Sequence, residues 1–329
     1  MKLSFAWPRC APICPTIAIL AAAALAAGCS TSDRQFQPST AVAANALHPN
    51  QRGELLFVSD AGNNDVYIFT LPDLKLKRTI TGFNQPWNLC SGNGGNVWVP
   101  NLATQQVLEY DRRGKRNAIS YGAYGYATAC AVSPIGYLAV LGGPSHGPDS
   151  IEEFFALEVP IKLTIRGLSN YFFDSYDSKG DLFVDGTDGG SNFRLGVVPR
   201  NKRRGHLITI TGGTINYPGF VQWYERGHYL AVADEDCGSG NACIYSVQIS
   251  GSTGAIIGET NLLDPSGGPN CGLYQAVIDP ITGGDIVGNI QGCSSYASVD
   301  RWAYPSGGTP TNSVQNFALV PVGAAISLK

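Results

Sequence analysis

Residues 56–69 read "LFVSDAGNNDVYIF", and two readings compete for them. Asp60, Asn63, Asn64 and Asp65 crowd around Gly62 with the hard oxygen donors that a calcium loop would use. The same residue types also make tight turns, because Asx side chains bond to nearby backbone and Gly tolerates positive φ. The flanks decide between the two. "LFV" and "VYIF" are short apolar runs rich in β-branched and aromatic residues, so the stretch reads as a hairpin: Val58 closes one strand, "GNN" turns, and Val66 opens the next.

The hairpin has counterparts. Frames of the same kind recur as "LFV" at 56, "VWV" at 97, "LAV" at 138, "LFV" at 182, "LAV" at 230 and "IVG" at 286, spaced by 41, 41, 44, 48 and 56 residues. Such a period built only of strand-like segments is that of propeller blades; helical solenoids would carry apolar residues at helical spacing. Six frames predict six blades.

Each unit resolves into four strand candidates in one order. After the frame comes a hairpin partner: "VYIFTL", "VLEYDR", "IEEFFAL", "RLGVVPR", "CIYSVQI" or "VDRWAYP". A third segment is rich in Thr and Ile, as in "LKRTITG", "IKLTIRG" and "HLITITG", where β-branched side chains suit a pleated surface. The fourth is "PWNLC", "YATACAVSP", "NYFFDSYDS", "YPGFVQWYE", "GLYQAVIDP" and finally "VGAAISLK". The domain therefore begins on a frame strand at Leu55 and ends on a fourth-type strand at Leu328. The expected fold is all-β: a six-bladed β-propeller closed by the C-terminal strand, with Ala324 to Leu328 joining the blade of Leu55 to Gly82 and removing the free edge.

The succession of "LFVSDAGNNDVYIF" and "QPWNLC" resembles NHL-type and YVTN-type repeat propellers over roughly Leu55 to Leu328. The motif is sharp in the first unit and decays through "VPNLATQQVLEY", "VDGTDGGSNFRLGVV" and "VADEDCGSGNACIYSV". The resemblance implies that the Pro-led fourth strand lines a central channel.

Composition agrees with this fold class. The chain of 329 residues has 44% hydrophobic side chains, 40 Gly, 20 Pro and only 14% charged residues, so turns are many and helices few. Its formal charge is −3, and removing an N-terminal segment that holds Lys2 and Arg9 takes away two positive charges to give −5, which excludes general attraction to nucleic acid.

That N-terminal segment reads as an address. Lys2 and Arg9 precede "TIAILAAAALAAGC", whose apolar run of about 12 residues is too short to span a bilayer of roughly 30 Å. "LAAGCS" resembles the lipobox of bacterial lipoproteins, with Ala27 and Gly28 before Cys29 and Ala26 where that family favours Leu. The resemblance implies cleavage before Cys29 and a lipid on its sulfur; ordinary secretion is the alternative. Ser30 after the Cys implies, in the enterobacterial version, transfer to the outer membrane. The expected organisation is a lipoprotein signal peptide at 1–28, a flexible tether at 29–52 and the propeller at 53–329. The product would be exported and lipid-anchored to a bacterial membrane, facing the periplasm or the cell surface.

Of nine Cys, Cys10 and Cys14 fall in the signal peptide and Cys29 is the lipid candidate, leaving an even six, which in an exported chain read as disulfides. Cys237 and Cys243 flank one hairpin loop, Cys90 and Cys130 end equivalent strands of adjacent units, and Cys271 and Cys293 remain. Six Cys admit 15 connectivities, of which this is the expected one. No CxxC pair occurs, and the four His (His48, His146, His206 and His228) have no ligand spacing, so neither a metal nor a cofactor is expected.

Catalytic patterns are equally sparse. Ser145, His146 and Asp149 share one loop with no nucleophile elbow. Glu152 and Glu153 are adjacent on a strand and point to opposite faces. The acidic loops around Asp185, Asp188 and Asn192, and around Asp234, Glu235 and Asp236, match no calcium motif and read as turns. The basic run "RNKRRGH" from Arg200 to His206 reads as a solvated connection between strands, with anionic lipid heads as the functional alternative. Asn84, Gln85, Trp87, Asn170, Asn216, Tyr217, Asn270 and Tyr274 lie at the starts of fourth-type strands, where amides and rings suit a sugar or a peptide.

These features favour a surface-anchored, non-catalytic binding or scaffolding propeller of the cell envelope, with an envelope protein, a peptide or a glycan as partner. The alternative is a lactonase-like or lyase-like propeller enzyme acting at the channel mouth. Those families place a Glu, Asn and Asp metal set, or a His with a Glu, around the channel. The corresponding starts here are Trp87, Thr128, Phe172, Phe220, Tyr274 and Ala324, with only Asp174 and Gln222 polar and deeper.

Overall fold

The computed structural model describes residues 53–122, 125–143, 149–155, 159–238, 241–270, 272–291 and 297–329. The expected signal peptide and tether, the lipidation candidate Cys29, and both Cys271 and Cys293 lie outside the described residues.

Among the described residues, apart from one 3-10 turn, Leu102–Thr104, the regular elements are strands. They fall into antiparallel meanders. The first comprises β1 (Leu55–Asp60), β2 (Asp65–Thr70) and β3 (Lys75–Ile80); the second β4 (Cys90–Ser91), β5 (Val97–Asn101), β6 (Gln106–Tyr110) and β7 (Arg116–Gly122). The third is β8 (Tyr126–Val132), β9 (Leu138–Gly143), β10 (Ser150–Phe154) and β11 (Ile161–Ile165); the fourth β12 (Asp174–Tyr176), β13 (Leu182–Thr187), β14 (Phe193–Val198) and β15 (Arg204–Thr211). The fifth is β16 (Pro218–Tyr224), β17 (Tyr229–Asp234), β18 (Cys243–Ser250) and β19 (Thr253–Asn261); the sixth β20 (Leu273–Ile278), β21 (Asp285–Gln291), β22 (Ala297–Ala303) and β23 (Asn312–Gln315). The last strand, β24 (Pro321–Ser327), returns to the first meander and pairs antiparallel with β1, from Leu55 opposite Ser327 to Asp60 opposite Pro321. Short parallel pairs join β15 to β11 on one side and to β19 on the other.

The frame strands β1, β9 and β13 are buried along their whole length because both faces are covered. In β1, Leu55 and Phe57 pack with Val97, Val99 and Leu108 of the second meander. Leu56 and Val58 point the other way and pack with Val287 and Val299 of the sixth. Alternation along one strand thus places the first meander between two neighbours. The strands that begin each meander approach one another in turn: β24 meets β4, β4 meets β8, β8 meets β12, β12 meets β16, β16 meets β20, and β20 meets β24.

The opening stretch is the hairpin its flanks predicted, with the first strand two residues longer and the second one: Asp60 sits opposite Asp65, and residues 61–64 turn between them. Asp60 is fully buried and accepts the N–H groups of Gly62 at 2.9 Å and Asn63 at 3.3 Å, and those of Leu319 at 3.0 Å and Val320 at 2.9 Å ahead of β24. Gly62 is required by close approach, since a Cβ there would stand 2.6 Å from Cβ of Leu319.

Two fourth-type segments form less strand than their sequences led us to expect. "PWNLC" gives only β4 and an isolated bridge from Pro86 to Asn101, and "NYFFDSYDS" gives β12 and a bridge from Ser169 to Thr187. In the latter, the Phe173 N–H goes to the Asp185 carboxylate at 2.8 Å, so a side chain takes a donor that a continuous ladder would use. The basic run also differs from a plain connection, because Arg204 to His206 already belong to β15 and only Arg200 to Arg203 link it to β14. Two of the expected disulfides are present: Cys90–Cys130, with Cα atoms 5.5 Å apart, ties the second meander to the third, and Cys237–Cys243 closes a loop of the fifth.

Candidate functional site

At one end of the sheets the loops entering β4, β16 and β24 are each held by an Asx side chain from the frame strand that the entering strand joins. Asp234, at the end of β17, accepts the N–H groups of Asn216 at 2.8 Å and Tyr217 at 3.0 Å, besides that of Asp236 at 2.9 Å. Asn101, at the end of β5, accepts the N–H of Asn84 at 2.7 Å, and Asn64 of the opening hairpin accepts that of Gln85 at 2.7 Å. Asp188 binds the Gly190 N–H at 3.1 Å, the Asn192 amide at 2.7 Å and Arg194 at 3.1 Å. The carboxylates of Asp60, Asp188 and Asp234 are therefore committed to donors of the chain itself, those of Asp188 within its own turn and those of Asp60 and Asp234 also across to the loop entering the neighbouring strand.

Near these loops stand aromatic rings and a carboxyl group that influence one another. Tyr217 packs edge-on against Phe172, ring centroids 5.8 Å apart. Glu235, half-buried just beyond β17, has its carboxyl pushed up from 4.5 to about 8, first by burial and then by the charge of Asp234. Burial, followed by the charges of Glu235 and Tyr274, pushes the Tyr217 phenol up to about 12. Tyr274, from the sixth meander, is likewise raised by burial and then by Glu235. Three side chains from the fifth and sixth meanders thus share one electrostatic neighbourhood.

Beneath them lie two more acids. Asp185 is fully buried and sits well above the usual carboxylate range, because of burial first and then, among other causes, the charges of Glu235 and Asp174. Asp174 is raised for the same leading reason, and neither of its oxygens has a hydrogen-bond partner among the described residues. Burial of this kind disfavours the ionised form of both groups. Among the described residues no three His, Cys, Asp or Glu are arranged to hold a metal ion.

Deeper along the first strands, two amides stitch neighbouring meanders together. The Gln275 amide oxygen accepts the N–H groups of Leu89 and Ala324, each at 2.8 Å, while its nitrogen donates to the Leu89 carbonyl at 2.9 Å. Gln222 exchanges two such bonds with Ile278, at 2.7 and 2.9 Å. Gln222, a polar candidate by sequence, is engaged with backbone.

The eight expected ligand residues separate into groups. Tyr217 and Tyr274 come together at Glu235. Asn216 is exposed beside them and donates to the Asp236 carbonyl at 2.7 Å. Asn170 takes a positive φ of 46°, donates its N–H to the Asp149 carboxylate and its amide to Thr187 at 2.9 Å. Asn270 is fully buried, with its backbone carbonyl accepting the Ala242 N–H at 3.1 Å. Asn84 and Gln85 are exposed and Trp87 half-buried, and their bonds run to the first and second meanders: the Trp87 N–H donates to Pro100 at 2.9 Å and its carbonyl accepts from Ser59 at 2.6 Å. Sequence reasoning missed Glu235 and Asp185 as members of the site. The runs "ADED" for Glu235 and "DGTD" for Asp185 were their only signals, and both are signals of a turn as well.

No protein-family model and no curated protein matches the chain. Solved structures do match. A chain of the nidogen/laminin complex superimposes with a TM-score of 0.63 at 12% identity, over 84% of this chain and 99% of that one. A protein of unknown function from Bacteroides caccae gives 0.62 at 12% identity, over 84% and 99%. TolB from Acinetobacter baumannii gives 0.61 at 12% identity, over 84% of this chain and 67% of its own. At such identity the likeness establishes the fold alone: an all-β, propeller-type architecture.

Proposed function

We propose that the chain is a six-bladed β-propeller of NHL or YVTN type, exported and held at a bacterial membrane by a lipid on Cys29, which binds an uncharged glycan or a peptide at its channel mouth without catalysis. Six meanders whose first strands meet in cyclic order, and a last strand paired with the first, support the closed six-blade reading. The disulfides Cys90–Cys130 and Cys237–Cys243 support export, since such bonds persist in oxidising compartments. One neighbour of the fold is a chain of the nidogen/laminin complex, so the architecture is compatible with binding.

The observation that carries the binding reading is the electrostatic neighbourhood that Glu235 shares with Tyr217 and Tyr274. A carboxyl kept neutral up to about 8 beside phenol rings offers a donor and flat apolar faces to hydroxyl or amide groups, and costs little to desolvate. Calorimetric titration of the purified protein with envelope oligosaccharides and peptides tests this. Saturable binding weakened at least tenfold by both Tyr217→Ala and Tyr274→Ala is the expected result; no binding, or binding indifferent to both, overturns it. The enzyme reading draws on the same carboxyl, because an acid with a pKa near 8 can give up a proton at neutral pH. Turnover of a lactone or glycan by the parent, lost in Glu235→Gln with binding retained, would favour catalysis.

A further inference from the structure

A second concavity, of about 290 Å³, lies at the other end of the sheets. The turns that follow β8 and β12 form it, whereas the mouth precedes those strands. One wall is basic: Arg200, Lys202 and Arg203, from the connection between β14 and β15. Another is apolar and aromatic, made of Ile135, Tyr137 and Ile161, with Phe155 packed on Tyr137 at a centroid distance of 4.8 Å. The third element is Glu153, which accepts the Tyr176 phenol at 2.7 Å.

The backbone of the basic wall is fixed while its charged ends are unpaired. The Arg200 N–H donates to Asp181 at 2.7 Å, the Lys202 N–H to Pro199 at 2.9 Å, and the Arg203 carbonyl accepts from Thr164 at 3.0 Å. The Arg200 stem lies over Gly180, its Cδ 3.2 Å from where a Cβ would stand. No nitrogen of these three side chains comes within 4.0 Å of a carboxylate oxygen among the described residues. Glu153 therefore shares the cavity with three cations and is ion-paired with none of them.

A simple anion entering this cavity meets the Glu153 carboxylate, and a simple cation meets three positive charges. A molecule bearing both charges on a short arm satisfies both walls at once. Its ammonium would also face the rings of Tyr137 and Tyr176, which favour a cation over their faces. Two exposed apolar side chains, Ile135 at 55% and Phe155 at 47%, stand at this end, where an apolar tail or a lipid interface would meet them.

We propose that the cavity binds a phosphoethanolamine group, with the phosphate at Arg200, Lys202 and Arg203 and the ammonium at Glu153. The group arrives either free or as the head of a bilayer lipid.

The test uses the full chain carrying Cys29→Ser, so that no N-terminal lipid contributes. Titration with O-phosphoethanolamine should give saturable binding, with inorganic phosphate and ethanolamine each at least tenfold weaker. Arg203→Ala and Glu153→Gln should each weaken it at least tenfold with an unchanged melting temperature. Co-sedimentation with phosphatidylglycerol vesicles, with and without phosphatidylethanolamine, separates the sources. Capture that requires phosphatidylethanolamine and is competed by the soluble compound identifies the lipid head; binding of the soluble compound alone identifies the free ester. No saturable binding, equal affinity for inorganic phosphate, or equal capture by phosphatidylglycerol alone overturns the proposal.

Discussion

Asp60 and Val320 stand 260 residues apart in sequence and meet through a single bond, from the Val320 N–H to the Asp60 carboxylate at 2.9 Å. The Leu319 N–H binds the other oxygen at 3.0 Å, so one buried side chain joins the first hairpin to the segment entering the last strand. Asp60→Ala leaves these donors without an acceptor. It should cost about 3 kcal/mol, since an orphaned buried donor costs about 1–3 kcal/mol. Asp60→Asn keeps one acceptor and should lose less. Chemical denaturation of the three proteins measures the order, and an alanine variant as stable as the parent would remove this clamp from the account.

Truncating the last eight residues, Val322 to Lys329, should do more. It strips the buried Val322, Ala324, Ala325 and Ile326 from the first meander and bares the edge of β1, an apolar strand with unpaired backbone groups. The expected outcome is loss of a cooperative thermal transition together with aggregation. A truncated chain that melts as the full one does would show that the pairing of β24 with β1 is dispensable.

The Cys90–Cys130 bond closes a loop of sequence separation 40 between two meanders. Chain entropy for a loop of that length gives about 4 kcal/mol of destabilisation of the unfolded state. The double substitution Cys90→Ser, Cys130→Ser should therefore lower the melting temperature markedly, and a reducing agent should bring the parent toward the variant. Equal melting of the parent in oxidising and reducing buffer would contradict this.

Local signals carried far in this chain, and relations between distant segments did not. The frames at 56, 97, 138, 182, 230 and 286 were legible because strand alternation and turn residues are written within a few positions. Cys90 and Cys130 were legible because repeat equivalence places them side by side. The role of Asp60 was not, since its partners lie at the far end of the chain and its neighbours Asn63 and Asn64 look alike as ligands or as turn residues. Gln275 stands in a register shift of β20, where its reach to Leu89 depends on how three meanders pack. Glu235 was read as a turn residue because its raised pKa comes from burial, a property of the assembled fold.

Glu235 also gives the protein a pH dependence with a definite sign. Its carboxyl rises from 4.5 to about 8 on folding, so between those values the folded protein holds a proton that the unfolded chain has released. Stability from this group is complete below about 4.5 and is lost as pH rises through about 8. Glu54, raised to about 7, Asp300, raised to about 6, and the buried Asp174 and Asp185, raised well above the usual carboxylate range, add losses of the same sign, so the part of Glu235 is read by comparing the parent with a variant at that residue alone. Glu235→Gln removes the charge without removing the shape. The variant should gain melting temperature over the parent at pH 8.5 and show no such gain at pH 5. Ligand binding at the mouth should weaken in the parent over the same upper range, as a neutral donor becomes a carboxylate beside Tyr217 and Tyr274, and the glutamine variant should lose that dependence. Parallel melting curves for parent and variant from pH 5 to 8.5 would mean that Glu235 titrates as an ordinary surface acid, and would leave Tyr217 and Tyr274 as the only argument for the mouth.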